Sequence, residues 1–277
     1  MPAKLVGGQE GDRFINLPLL ADRNAHDYDI IISRRVRGLR PDRLPEINDH
    51  FMYCQSMFGF ARTLTESEFA EVFPFQPRCF EVVRRITARD LPTARSGILI
   101  FHEVVNHPDL LARDRLIRVC DLLCSQHLVH DCLTAPAYKA AYTAYRSVSE
   151  ALPTLAELDP EDLPLARDVL ATLFLWHLAY IETPRPMSIS DLAECTLTTD
   201  DVLKAEDSVR LVLQQVKALP QIEFDGKAAR FVPKGGDGLA ILSLFNGYLK
   251  RASGDRYRVL GQWTNSLFLT AQETGGH

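Results

Sequence analysis

The chain has 277 residues, a net charge of −5 and 46% hydrophobic residues. This length accommodates two or three small domains, and the composition is that of an ordinary globular protein. The negative charge excludes a basic surface over the whole molecule, so any contact with nucleic acid requires a local patch.

Residues 1–45 have early glycines and later prolines, which predict an N-terminal arm or the edge of a missing domain. Within them, residues 29–36 fit either a short helix or a strand. The N-terminus lacks the apolar segment of a signal peptide, and no apolar run reaches the roughly 18 residues that cross a membrane. We therefore expect a cytoplasmic protein with six unpaired cysteines and no membrane contact.

Residues 46–152 have the pattern of a helical domain. Apolar spacing predicts a helix over residues 46–60, and Thr65 with Glu68 forms a capping-box pattern at the start of a short helix. Further helices are predicted from Pro77 to about residue 87, after Pro92, over residues 110–133 as one helix or a pair, and over residues 136–151.

The acidic, proline-containing stretch from Pro153 to Pro164 predicts a linker and a domain boundary. A strongly apolar helix is predicted after it, over residues 165–180. Ser188, with Asp191 three residues later, is a typical cap for the short helix that follows.

A longer helix over residues 200–219 precedes two short β-type runs around Asp225-Gly226, a strong hairpin signal. Helix, short helix, longer helix and hairpin is the order of a winged helix, which we place at residues 160–235. Weaker amphipathic patterns predict helices within residues 236–277.

The predicted winged helix has basic residues that are candidates for contact with DNA phosphates. Acidic side chains lie close to them in the sequence, and many winged helices bind only protein, so contact with duplex DNA and contact with protein remain equal alternatives. The candidate DNA-binding residues are Arg210, Lys217, Lys227 and Arg230.

No Walker A motif, nucleophile elbow or spaced pair of CxxC motifs is present, so no catalytic motif identifies the chain as an enzyme. Cys120, Cys124, His127 and His130 have spacings that suggest zinc. On the single helix predicted there, however, four ligands cannot surround one tetrahedral ion, and buried thiols with half-exposed histidines are the favoured interpretation.

Arginines form two groups, one including Arg34 and Arg35 and the other including Arg84, Arg85 and Arg95. Most arginine runs are solvated surfaces. Arg95 differs because it falls in the first turn of a predicted helix, where the helix dipole disfavours a cation unless an anion compensates it. A guanidinium beside helix N-terminal amides is well suited to bind phosphate.

Three segments together resemble the lid region of large bacterial AAA+ type P-loop ATPases, which include those of BREX and phage-growth-limitation anti-phage systems. They are Val72 to Pro77 (VFPFQP), Phe80 to Thr87 (FEVVRRIT) and Pro92 to Ile98 (PTARSGI). The stretch from Ala166 to Val232 resembles the winged helix after that lid. The resemblance covers about residues 28–250, but Gln76 replaces a more usual His and both Walker motifs are missing.

The resemblance implies a mostly α protein: a helical AAA+ lid-like domain, a winged-helix domain with a small β-hairpin, and C-terminal helices. It places Arg95 at the lid's sensor arginine, which touches the ATP γ-phosphate, and allows Arg34 or Arg35 as an arginine finger. The chain alone binds no cofactor; ATP and Mg²⁺ would require a P-loop ATPase core or partner subunits of a defence complex. A stand-alone winged-helix DNA-binding regulator and a protein-interaction scaffold remain alternatives.

Overall fold

The structure is a computed structural model that describes residues 44–90, 94–111, 115–197 and 202–234. The predicted N-terminal arm up to residue 43 and the predicted helices of residues 236–277 lie outside these ranges. The described part is mostly helical and contains a small three-stranded antiparallel sheet.

The first half of the described chain is a set of helices. Thr65 and Glu68 form the predicted capping box: the Glu68 amide donates to Thr65 Oγ1 (3.3 Å), and the Thr65 amide donates to Glu68 Oε2 (2.8 Å). The helices are α1 (Leu44–Met57), α2 (Gly59–Arg62), α3 (Glu66–Val72), α4 (Arg78–Asp90), α5 (Ala94–Val105) and α6 (Pro108–Leu111).

The predicted helix over residues 46–60 is wrong at its C-terminal end. Helix α1 ends at Met57, and Phe58 has extended backbone angles (φ −126°, ψ 136°) before α2 begins at Gly59. The apolar spacing continues through this break because both helices pack on the same small core, so periodicity alone did not locate it.

The predicted helix or helix pair over residues 110–133 is also wrong for most of its length. Ile117 forms a parallel bridge with Phe75: its amide donates to the Pro74 carbonyl (2.8 Å), and its own carbonyl accepts from the Gln76 amide (2.9 Å). These long-range hydrogen bonds replace helical ones and hold the backbone extended. A 3₁₀ turn (Cys120–Cys124) and a π-helical turn (His127–Cys132) follow.

The second half contains the longest helix and the sheet. The predicted helices at residues 136–151 and 165–180 are confirmed, as is the Ser188 cap, whose Oγ accepts from the Asp191 amide (3.1 Å). The elements are α7 (Pro136–Ala151), a 3₁₀ turn (Leu152–Thr154), α8 (Leu163–Ala179), β1 (Met187–Ser188), α9 (Ile189–Thr196), α10 (Val202–Gln215), β2 (Ile222–Phe224) and β3 (Ala228–Phe231).

The hairpin predicted at Asp225-Gly226 is confirmed. Gly226 has φ +93°, which an L side chain rarely adopts, and Asp225 Oδ1 accepts from the amides of Lys227 and Ala228 at 2.8 Å each. The sheet order is β1-β3-β2, with Met187 opposite Ala229 and Ile222 opposite Phe231. The two-residue strand β1 was not predicted.

Helix α8 lies at the centre of the main hydrophobic core. This core is continuous from α4 to β3 and includes Leu155 and Leu158 of the predicted linker. The Phe174 ring of α8 stacks on Tyr145 of α7 (ring centroids 4.3 Å apart) and meets Phe231 of β3 edge-on (5.6 Å). The helices of the first half and the sheet are therefore packed around one shared helix.

Candidate functional site

The structure places the backbone of Arg95 in the first turn of α5, as the sequence predicted. Buried Ile100, Phe101 and Val104 anchor this helix in the main core. Arg34 and Arg35 lie outside the described residues. The sensor role of Arg95 therefore stays a prediction, resting on its position at a helix N-terminus where backbone amides favour anions.

The arginines of α10 and the hairpin are held by neighbouring carboxylates. Arg210 Nη1 donates to Asp207 Oδ1 (2.6 Å). Across the hairpin, Arg230 Nε donates to Glu223 Oε2 (2.7 Å), and Lys234 Nζ donates to Glu223 Oε1 (2.8 Å). The hydrogen bonds from Lys234 and Arg230 lower the pKa of Glu223 and keep it ionised.

The two lysines among the predicted DNA-binding residues lie at exposed positions. Lys227 is exposed at the tip of the hairpin, and Lys217 is exposed just after α10. Arg230 projects from β3 and Arg210 from α10, each beside its acidic partner. The four residues predicted to bind DNA thus lie on α10, its end and the hairpin, with carboxylates among them, and their role stays a prediction.

A cluster of cations and aromatic rings lies where α4 meets the end of α8; we call it the arginine–aromatic cluster. Trp176 and Tyr180, one helical turn apart, have ring centroids 4.5 Å apart. The Arg85 guanidinium lies 4.1 Å from the Tyr180 ring centre, and Arg78 lies 5.4 Å from that of Trp176. Arg185 lies 5.8 Å from the Tyr180 ring and 6.0 Å from Trp176.

Two carboxylates hold part of this cluster in place. Arg78 donates to Asp191 in the first turn of α9, which links α4 to α9. Glu81 accepts from the Tyr180 hydroxyl and lies 3.8 Å from both Arg78 Nη1 and Arg85 Nε. Sequence reasoning singled out Arg85 but missed the cluster, because Arg185 is far away in the chain and only the i, i+4 spacing of Trp176 and Tyr180 hinted at a shared surface.

A buried charge network centres on Arg118, whose side chain is 6% exposed. Its guanidinium donates to both carboxylate oxygens of Asp121 (3.0 and 3.1 Å), to Asp168 of α8 (3.2 Å) and to the Thr196 carbonyl (3.4 Å). Burial lowers the pKa of Arg118, but Cys120, Asp121 and Asp168 more than offset this and raise it overall. We call these contacts the Arg118 network.

The Arg118 network was missed in the sequence, although a signal exists. A lone arginine with an aspartate three residues later, inside the apolar run from Leu116 to Leu123, indicates a buried pair. The network joins the Cys120–Cys124 turn to α8 and to the end of α9. It therefore ties the helices of the first half to the sheet-containing half.

The four residues whose spacing suggests zinc, a site that the sequence did not favour, lie on two separate turns and not on the single predicted helix. Cys120 and Cys124 lie in the 3₁₀ turn, and His127 and His130 lie in the π-helical turn. Within the described ranges, no group of three or more His, Cys, Asp or Glu side chains is arranged to hold a metal ion. All six cysteines are unpaired, and burial raises the pKa of the Cys54 thiol to about 11.

Glu103, which follows His102 in α5, has a structural role. Its Oε2 accepts from the Ser125 hydroxyl (2.7 Å) and from the His127 amide (2.9 Å) at the start of the π-helical turn. This fixes α5 against the irregular segment that follows α6. Of the helices that the structure describes, none is long and apolar enough to cross a membrane.

The chain has no detectable relatives in the comparisons with known proteins. No protein-family model, no curated protein and no solved structure matches it.

Proposed function

We propose that this chain is the lid and winged-helix portion of an AAA+ type ATPase that acts in DNA-linked anti-phage defence in the cytoplasm. The order α8, β1, α9, α10, β2 and β3, with β1 paired to β3, supports a winged-helix domain. Of the segments that resemble the lid, Phe80 to Thr87 lies in α4, Val72 to Pro77 precedes it, and Pro92 to Ile98 runs into α5.

The observation that carries the proposal is the rigid attachment of these two units. Helix α8 belongs to both, because α4 and α7 pack on it, and so do β3, α9 and α10. The Arg118 network joins them again through buried hydrogen bonds. A lid that responds to nucleotide would move the winged helix with it, since packed cores transmit displacement.

In this proposal the chain contributes Arg95 to a nucleotide held elsewhere. A P-loop core would bind ATP and Mg²⁺, and the guanidinium of Arg95 would stabilise charge on the γ-phosphate. Arg34 and Arg35 remain candidates for an arginine finger toward a neighbouring subunit. The chain itself would act as a lever and as a contact surface, not as the catalyst.

Reconstitution tests this proposal. The native reading frame, or one beside it, should encode Walker A and Walker B motifs. The P-loop core produced from it should hydrolyse ATP at least about 100-fold faster with this chain attached than without it. Absence of any Walker motif from these reading frames, or equal turnover with and without the chain, would contradict the proposal.

A DNA-binding regulator is the second candidate, favoured by the exposed lysines at the end of α10 and the tip of the hairpin. If these lysines bind phosphates, replacing both Lys217 and Lys227 by Ala should reduce the slope of log binding constant against log salt concentration by about 2 for duplex DNA. Such a regulator would bind its operator without any P-loop partner. An unchanged slope would remove this candidate.

A further inference from the structure

Two guanidinium groups of the arginine–aromatic cluster, those of Arg85 and Arg185, are exposed and have N–H groups available for a ligand. Arg78 is largely committed, because it donates to Asp191 and its side chain is 28% exposed. Arg85 is 44% exposed, and its Nε lies 3.8 Å from Glu81, which is beyond hydrogen-bond distance. Arg185 is exposed beside it, in the loop that leads to β1.

The aromatic rings restrict the orientation of these two arginine side chains before any ligand binds. A guanidinium stacked on a ring keeps its plane fixed while its edge N–H groups point outward, so less side-chain entropy is lost when an anion binds. Both Arg85 and Arg185 lie within 6 Å of the centre of the same Tyr180 ring. One extended polyanion can therefore contact both arginines around this ring.

We propose that Arg85 and Arg185 bind backbone phosphates of duplex DNA. The planar fork of arginine matches phosphate in a bidentate arrangement. Trp176 and Tyr180 are only 3% and 6% exposed, so no ring is available to stack on a base. Contact limited to phosphates predicts binding that does not depend on base sequence.

The surroundings favour DNA over a protein partner. Large exposed apolar side chains of the described residues, which would anchor a protein, lie on α1, α5 and α10 and not in this cluster. Arg185 lies two residues before β1, and Arg78 links the cluster to the first turn of α9. The phosphates bound here would flank the groove that α10 enters, so the inference rests on the winged-helix role in the proposed function.

Salt-dependent binding of a 20-base-pair duplex to the full chain tests this inference. Replacing Arg85 and Arg185 by Gln keeps a planar amide over each ring and removes both charges. We expect affinity to fall about tenfold and the salt slope to fall by about 2, equally for two unrelated duplex sequences. Arg146→Gln, on an exposed arginine paired with Glu150 on α7, is the matched control and should change neither.

Three outcomes would overturn the inference. The first is the absence of salt-dependent binding by the unchanged chain, the second is a full salt slope in the double variant, and the third is a loss of affinity in Arg146→Gln as large as that of the double variant. Thermal unfolding will check that the variants are folded. Replacing both Arg85 and Arg185 by Lys keeps the two charges and should retain most of the salt slope. Because no ATP is involved, failure here leaves the ATPase proposal standing, and failure of that proposal leaves this binding measurable.

Discussion

The carboxylate of Glu194 in α9 lies against Gly59 at the N-terminus of α2, in space that a side chain at residue 59 would fill. A Cβ atom at residue 59 would lie 2.5 Å from Glu194 Oε1, which is shorter than any normal contact. This contact joins the first helices of the described chain to α9.

Replacing Gly59 by Ala should therefore destabilise the protein. The added methyl group would push the carboxylate out of its place against α2, which should cost about 1 kcal/mol in the free energy of unfolding because only the end of the Glu194 side chain has to move. Urea denaturation measures this. Ser67→Ala, on the exposed side of α3, is the control, and an equal effect of both substitutions would show that the contact between Gly59 and Glu194 is unimportant.

The burial of the Glu194 carboxylate predicts a pH dependence. Burial, followed by the negative charge of Asp191, raises the pKa of Glu194 above its ordinary value of 4.5. The folded protein then holds this proton to a higher pH than the unfolded chain does. Its contribution to stability is full at low pH and is lost as the pH rises from the unfolded pKa through the folded one.

Glu194→Gln removes this titration. Relative to the unchanged protein, the Gln variant should become progressively more stable, with a larger free energy of unfolding, as the pH rises above the ordinary glutamate pKa of 4.5. Comparing the two proteins at each pH cancels other titrating groups, including Glu223 and Asp225, whose pKa values are lowered. A constant difference, or one that moves the opposite way, would disprove the raised pKa.

Arg118→Met should be the most damaging of these substitutions. It removes the guanidinium that Asp121 and Asp168 share and leaves the Asp121 carboxylate, 6% exposed, with the more distant Arg115, at 4.0 Å, as a cationic neighbour. Removing one member of a buried ion pair costs about 3–5 kcal/mol. In contrast, Arg146→Met breaks an exposed pair with Glu150 and should cost under about 1 kcal/mol by the same denaturation measurement. Similar costs for both would mean that the Arg118 network contributes little.

Local signals in the sequence predicted much of the second half of the fold. The cap at Ser188 and the turn at Asp225-Gly226 depend on neighbours within three residues, so the sequence contains what is needed to find them. The helices over residues 136–151 and 165–180 have long apolar patterns. A strand of two residues such as β1 has no periodicity and exists only because β3 pairs with it.

The errors arose where distant contacts decide the backbone. Ile117 is extended because Pro74 and Gln76 bind its backbone, and the carboxylate that lies against the start of α2 belongs to Glu194, more than a hundred residues later. The same limit applies to the candidate sites. Single arginines could be named from the sequence, but the pairing of Arg230 with Glu223 and the approach of Arg185 to Arg85 depend on tertiary structure.

The most direct test of the proposed function is ATP turnover by the chain joined to its P-loop core, with Arg95 replaced by Ala. If Arg95 contacts the γ-phosphate, turnover should fall by about 100-fold or more while thermal stability stays within about 0.5 kcal/mol of the unchanged protein. Arg146→Ala, remote on α7, should leave turnover unchanged. Full turnover in Arg95→Ala would contradict the assignment of this chain as an ATPase lid.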